Sequence, residues 1–284
     1  MFSRFSKSFF AGMRPVDLET WSPSSIEVAG WIDASDSESY QVSSNVISSI
    51  TDKSGNFSSL QIVGNPRINS QHLNSTDIFY FDGNDAIESN SEEQVVSSGN
   101  HWAIGVFKIT GIYSNKDSIW SALNSSVSSS SRRDYAVSSS NPNNAWDGEI
   151  DLDNNNNIAT GVAKIPWSSS SSLGVNNYFN NWHIFGVIFN KQGDQIFARV
   201  DGRTASSISE YDNSLNTNMF MRIMRNRTNR RPQGYLAEWF WVADIPGSGG
   251  TNISDFEKAE GYLAHKWGLS SLLPSSHSYK NSPP

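Results

Sequence analysis

Apolar residues in this chain recur mostly at every second position, in short runs separated by turn residues. Trp102, Ile104, Val106 and Ile109 alternate almost regularly, the period of a strand with one face toward a core. In a second run Trp182, Ile184, Gly186, Ile188 and Asn190 fall on one face, and His183, Phe185, Val187 and Phe189 on the other. Residues 235–242 are again apolar on both faces, and such strands belong inside a layered core. Shorter candidate strands cover 26–32, 46–50, 60–63, 78–81 and 119–123. Between them lie Asp52-Lys-Ser-Gly-Asn56, Gly64-Asn-Pro66 and Asp82-Gly-Asn-Asp85, all turn-forming by composition. Asp201-Gly202 predicts a hairpin that pairs 195–200 with the segment after it. The serine run 125–131 reads as a loop.

Helical spacing occurs twice. Phe256, Ala259, Leu263 and Trp267 form one stripe of a helix predicted over 255–267, with Ser254 and Glu257 spaced as a capping box and Gly268 as its stop. Phe2, Phe5, Phe9 and Met13 form another, with Arg4, Lys7 and Arg14 as its charges. An amphipathic element that short needs a surface to pack on, its own domain or a partner. The chain therefore divides into an N-terminal docking arm and linker, residues 1–25, and one domain, residues 26–284. Many short strands, one C-terminal helix and no internal repeat predict an all-β, two-sheet antiparallel sandwich.

With 284 residues the chain is long enough to bury a large core. Charged residues make up only 17%, and a net charge of −7 gives no basic footprint for nucleic acid. The one basic run, from Arg222 to Arg231, is expected to be a solvated loop. The absence of cysteine excludes disulfides. No run reaches the roughly 18 apolar residues of a membrane span. The first residues lack the apolar core of a signal peptide, as expected of a protein released by lysis.

Trp31-Ile-Asp-Ala-Ser-Asp36, Asp52-Lys-Ser-Gly-Asn56 and Phe81-Asp-Gly-Asn-Asp85 resemble the opening of laminin G-like, concanavalin A-like lectin domains. Gly234-Tyr-Leu-Ala-Glu238 resembles the penultimate strand of that family. Glu260-Gly-Tyr-Leu-Ala-His-Lys-Trp-Gly-Leu269, with Leu273-Pro-Ser-Ser-His-Ser-Tyr-Lys280, resembles its terminal signature. The resemblance spans residues 26–280 and implies a jelly-roll whose helix and Leu-Pro tail clamp one end. Many such domains occur in phage and marine bacterial surface proteins. Together with the missing signal peptide, the short arm and the single-domain length, this leads to the expectation of a non-enzymatic virion structural protein, a capsid decoration or tail-associated module on the virion surface. Its expected partners are other virion proteins, through the arm, and host-surface polysaccharide, and an oligomer is expected. A free carbohydrate-binding adhesin, extracellular or on a cell surface, is the alternative.

Three stretches could carry chemistry. Glu149, Asp151 and Asp153 resemble the acidic strand of laminarinase-type glycoside hydrolases, which share this fold and cleave with paired carboxylates. Asp153 stands where that family has Glu, one methylene longer, and so the hydrolase is the lesser reading. No cofactor is expected, calcium being the one ion for which the sequence offers ligands: Asp151, Asp153 and Asn155 place oxygens at alternate positions. Trp146, Trp167 and Tyr178, in Ser/Asn-rich surroundings, are the candidate ligand-binding aromatics, able to stack on a sugar ring or to cover the sandwich edge. The histidines at 72, 101, 183, 265 and 277 have no ligand spacing and are expected to be structural.

Overall fold

A computed structural model describes residues 21–57, 59–91, 93–94, 101–112, 117–123, 132–139, 148–152, 180–190, 195–208, 218–225, 231–242 and 253–284. In chain order the strands are β1 (Gly30–Asp33), β2 (Tyr40–Ser43), β3 (Val46–Ile50), β4 (Leu60–Val63), β5 (Arg67–Leu73) and β6 (Thr76–Asp82). Next come β7 (Ala86–Ser89), β8 (Glu93–Gln94), β9 (His101–Gly111), β10 (Asp117–Leu123), β11 (Arg132–Ser139) and β12 (Gly148–Leu152). The last are β13 (His183–Asn190), β14 (Gln195–Val200), β15 (Arg203–Ile208), β16 (Asn218–Ile223) and β17 (Gln233–Val242), followed by the helix α1 (Ile253–Lys266).

The strands form two antiparallel sheets, the two-sheet sandwich that the strand pattern predicts and that the resemblance implies as a jelly-roll. The ten-stranded sheet runs β15-β14-β13-β9-β17-β6-β5-β3-β2 with β1 also on β17, and the seven-stranded sheet runs β12-β11-β10-β16-β7-β4 with β8 also on β16. At the centre of the larger sheet, β17 pairs along its whole length with β9. Its other edge is shared: β6 takes Gln233 to Leu236 and β1 takes Glu238 to Trp241. The first strand of the domain is thus completed by the last.

Both faces of the larger sheet are buried at its centre, and so its central strands carry no continuous polar face. Phe79, Phe107, Phe185, Val187, Trp239 and Trp241 point toward the smaller sheet and meet Ile87, Trp120, Met221 and Ile223. On the far side Trp102, Ile104, Ile184, Ile188 and Phe240 lie under Phe256, Ala259, Leu263 and Trp267 of α1. The order is helix, sheet, sheet, with α1 outside the sandwich. Close approach of α1 depends on Gly186, where a Cβ would sit 2.3 Å from Cζ of Phe256.

The predicted turns are present. Asp201 and Gly202 have φ of 50° and 75°, the paired positive values of a tight hairpin. Asp52 organises the turn after β3, accepting from the backbone N–H groups of Trp31, Ser54, Asn56 and Phe57. Boundaries differ from the sequence expectation at two elements. The first strand begins at Gly30 rather than 26, and α1 begins at Ile253, placing Ser254 inside its first turn instead of at the cap. Periodicity does not resolve the polar strands β2, β5 and β11, whose pairing partners hold them in the sheets.

Candidate functional site

The larger sheet is not wholly covered by α1. Beyond the helix, ladder pairing sets a row of side chains across neighbouring strands. Arg67 of β5 is directly opposite Tyr80 of β6, Tyr80 opposite Tyr235 of β17, and Tyr235 opposite Lys108 of β9. His183 pairs with Phe107, so Trp182, one residue earlier, takes the position beside Lys108. The row faces outward, because its strand neighbours Phe79, Phe107 and Leu236 all point into the intersheet core.

The aromatic members touch. Ring centroids are 5.0 Å apart for Tyr80 and Tyr235 and 6.0 Å for Trp182 and Tyr235, both tilted. Lys108 Nζ lies 5.7 Å from the Tyr235 ring centroid, a cation–π distance. Tyr235 forms the floor at 7% exposure, whereas Tyr80, Lys108 and Trp182 are half-buried and Arg67 is exposed. The hydroxyl of Tyr80 accepts from Nε2 of Gln233 at 2.6 Å, fixing that ring. The result is a rigid aromatic strip with polar tips on sheet backbone. An apolar face with hydrogen-bonding rims suits a ring carrying hydroxyls.

The buried acids, by contrast, are committed to holding the fold. Glu238 is fully buried and accepts from Trp31 Nε1 at 2.8 Å, Tyr262 Oη at 3.1 Å, Lys266 Nζ at 2.7 Å and Trp267 Nε1 at 2.9 Å. Burial, reinforced by the neighbouring Asp33 charge, pushes its carboxyl above the ordinary range against the pull of Lys266. Asp33 accepts from Lys53 and Lys266, both at 2.9 Å, and from Ser35. Burial raises it, but the Lys266 charge and these bonds outweigh that and hold its carboxyl below the usual value. Burial and the Glu238 charge likewise push the Tyr262 hydroxyl up. Glu260 takes a two-pronged bond from Arg199, both contacts 2.8 Å, and one from His277 Nε2 at 3.1 Å. These two carboxylates tie α1 and the C-terminal tail to the larger sheet, the clamp that the terminal signature implies.

Two further expectations meet the structure here. Arg222 and Arg225 are not in a solvated loop: Arg222 lies in β16, and both are mostly buried against Glu88, which Arg225 bonds directly and whose Oε1 is 3.7 Å from Arg222 Nε. A strand-borne carboxylate, Glu88 of β7, holds Arg222 and Arg225 against the smaller sheet, and Arg227 and Arg230 lie outside the described residues. The histidines have structural partners: His183 Nδ1 is 2.7 Å from Asp201, and His265 Nε2 is 2.9 Å from the Tyr279 carbonyl.

Most residues singled out from sequence lie elsewhere. Glu149 and Asp151 are at alternate positions of β12, paired with Ser138 and Ala136. Asp153, Asn155, Trp146, Trp167, Tyr178, and the arm residues Phe2, Phe5, Phe9 and Met13 lie outside the described residues. Among the described residues no group of three or more His, Asp or Glu could hold a metal ion, and no helix is long and apolar enough to cross a membrane. Sequence reasoning missed the aromatic row because strand aromatics read as core. The available signal was Lys108, a cation in phase with Trp102, Ile104 and Val106 on an otherwise apolar face.

The sequence matches no protein-family model and no curated protein. Its architecture, a two-sheet β-sandwich, does have solved counterparts. The binding domain of botulinum neurotoxin serotype D/C VPI 5993 superposes with a TM-score of 0.53 at 12% identity, over 84% of this chain and 52% of that one. The binding domain of botulinum neurotoxin DC in complex with SialylT gives 0.51 at 11%, over 76% and 48%. An arabinofuranosidase complexed with arabinofuranosyl-alpha-1,2-xylobiose gives 0.50 at 14%, over 71% and 48%. The matched regions take in about half of each of these chains, and at such identities the likeness is one of fold.

Proposed function

We propose that this chain is a non-enzymatic glycan-binding sandwich module carried on the surface of a particle such as a virion. The observation that supports glycan binding is the cross-strand strip in which half-buried Tyr80 and Trp182 flank the buried Tyr235 on a rigid sheet. That several proteins sharing the fold were solved with saccharides agrees with this reading. The non-catalytic half is supported by the buried carboxylates Glu238, Glu260 and Asp33, each bound by cationic donors that the fold needs. The N-terminal stripe of Phe2, Phe5, Phe9 and Met13, set on a basic segment before an acidic domain, is the element that would attach the module to its particle.

A glycan array probed with the full chain tests the binding. Trp182→Ala should reduce affinity for the glycans retained by the unsubstituted chain about thirtyfold, the usual effect of losing a central aromatic anchor. Equal retention by Trp182→Ala and by a Tyr80→Ala, Trp182→Ala double variant would remove the strip from the account. Release of reducing sugar, abolished by Glu149→Gln, would replace binding by hydrolysis.

A further inference from the structure

The row holds three aromatic residues and two cations and contains no carboxylate: Arg67, Tyr80, Tyr235, Lys108, Trp182. Five positions at a strand spacing of about 4.8 Å extend about 19 Å, enough for a short oligosaccharide to lie across the strands. Lys108 takes the ladder position between Tyr235 and Trp182, with its Nζ 5.7 Å from the Tyr235 ring centroid, and Arg67 stands beyond Tyr80 at the exposed end. Neither forms an ion pair or a hydrogen bond through its side chain, whereas Lys53, Lys266 and Arg199 of the same sheet and its helix are all paired with buried acids. Two acids share this face: Asp82, one pleat step along β6 beside Gln233, where its Oδ1 accepts from the Asn84 N–H, and Glu238, opposite Val106 one pleat step from Lys108, which is bonded to Lys266. Two uncommitted cations on an aromatic strip are unexpected in a chain with a net charge of −7 unless an anion completes them.

We propose that the row binds an anionic saccharide, with sugar rings stacked on Tyr80 and Trp182 over the buried Tyr235 and a ring carboxylate or sulfate held by Lys108 and Arg67. This rests on the reading of the strip as a glycan platform and names its ligand class. Each cation contributes one charge-assisted hydrogen bond to the anionic group, the kind in which an ionised partner roughly doubles the strength. The aromatic floor makes the contact selective for a flat apolar ring over an extended acidic peptide.

The test uses the full chain and three matched probes: oligogalacturonate, its methyl ester, which has the same rings without the charge, and a chondroitin sulfate oligosaccharide. Polyglutamate serves as the non-saccharide polyanion. Titration calorimetry of the unsubstituted chain should show at least one of the two acidic sugars binding about tenfold or more tighter than the ester. The carboxylate and sulfate arms distinguish the two anionic groups. An Arg67→Gln, Lys108→Gln double variant should lose that preference and its salt dependence, while retaining the melting temperature and the weak binding of the ester. Trp182→Ala should weaken acidic and neutral probes alike. Equal binding of acid and ester, or a preference that survives in the double variant, overturns the charge assignment and leaves the platform standing. Binding of polyglutamate as tight as that of the acidic sugars overturns the saccharide class. No binding of any sugar overturns the platform itself.

Discussion

At the scale of single residues, the most consequential group is the carboxylate of Glu238. It and Asp33 together face Lys266, and removing that cation leaves the buried Glu238 with neutral donors alone, while Asp33 keeps Lys53. Lys266→Met should therefore cost about 3 kcal/mol, the lower end for breaking a buried pair, because the ammonium keeps 23% of its side-chain exposure. Urea unfolding measures it directly. The pH dependence has a definite sign. Asp33 titrates below its ordinary 3.8 in the folded chain, so its contribution is complete above that value and is lost as pH falls through the lower folded one. Asp33→Asn should melt lower than the unsubstituted chain at pH 7, with a shallower decline on acidification below about 4. Equal slopes would show that the acid limb belongs to other groups.

At the scale of elements, the helix and the sheet beneath it are coupled through one missing side chain. A Cβ at Gly186 would collide with Phe256 and lift α1 from β13. Gly186→Ala should cost about 1–3 kcal/mol, as overpacking in a filled core does. The cost should shrink in a Phe256→Leu background, and the double-mutant cycle reads that coupling. This element level is also where the sequence was most and least legible. β9, β13 and β17 announce themselves because both faces are buried at their centres and apolar residues fall on both; α1 does so by its stripe. Strands such as β5, with the sequence Arg-Ile-Asn-Ser-Gln-His-Leu, have no period of their own and are placed by the register of β6. The aromatic row was hidden for a related reason. Each member looks ordinary in its own strand, and the row exists only perpendicular to the chain, along the hydrogen-bonding direction.

At the scale of the whole molecule, the proposed arm is separable from the sandwich. Removing Met1 to Arg14 should leave the melting temperature unchanged and abolish attachment to the particle or to other copies, as sedimentation of the truncated chain with assembled particles would show. A lowered melting temperature with association intact would instead mean that the arm packs on its own domain. The described chain also nearly closes on itself: the N–H of Trp21 donates to the carbonyl of Pro284 at 3.1 Å, and the Trp21 ring leans on Tyr262 and Phe240. A permutant joining these ends by a short linker, with new termini at the exposed Ser44-Asn45 hairpin tip, should fold. The sharing of β17 by β1 and β6 acquires a meaning in time. Trp31 finds Glu238 only 207 residues later, so on a ribosome adding 5–20 residues per second β1 waits roughly 10–40 s for its partner strand. Until then the central sheet has one gap, and the nascent domain can neither seal its interior nor be mistaken for a finished one.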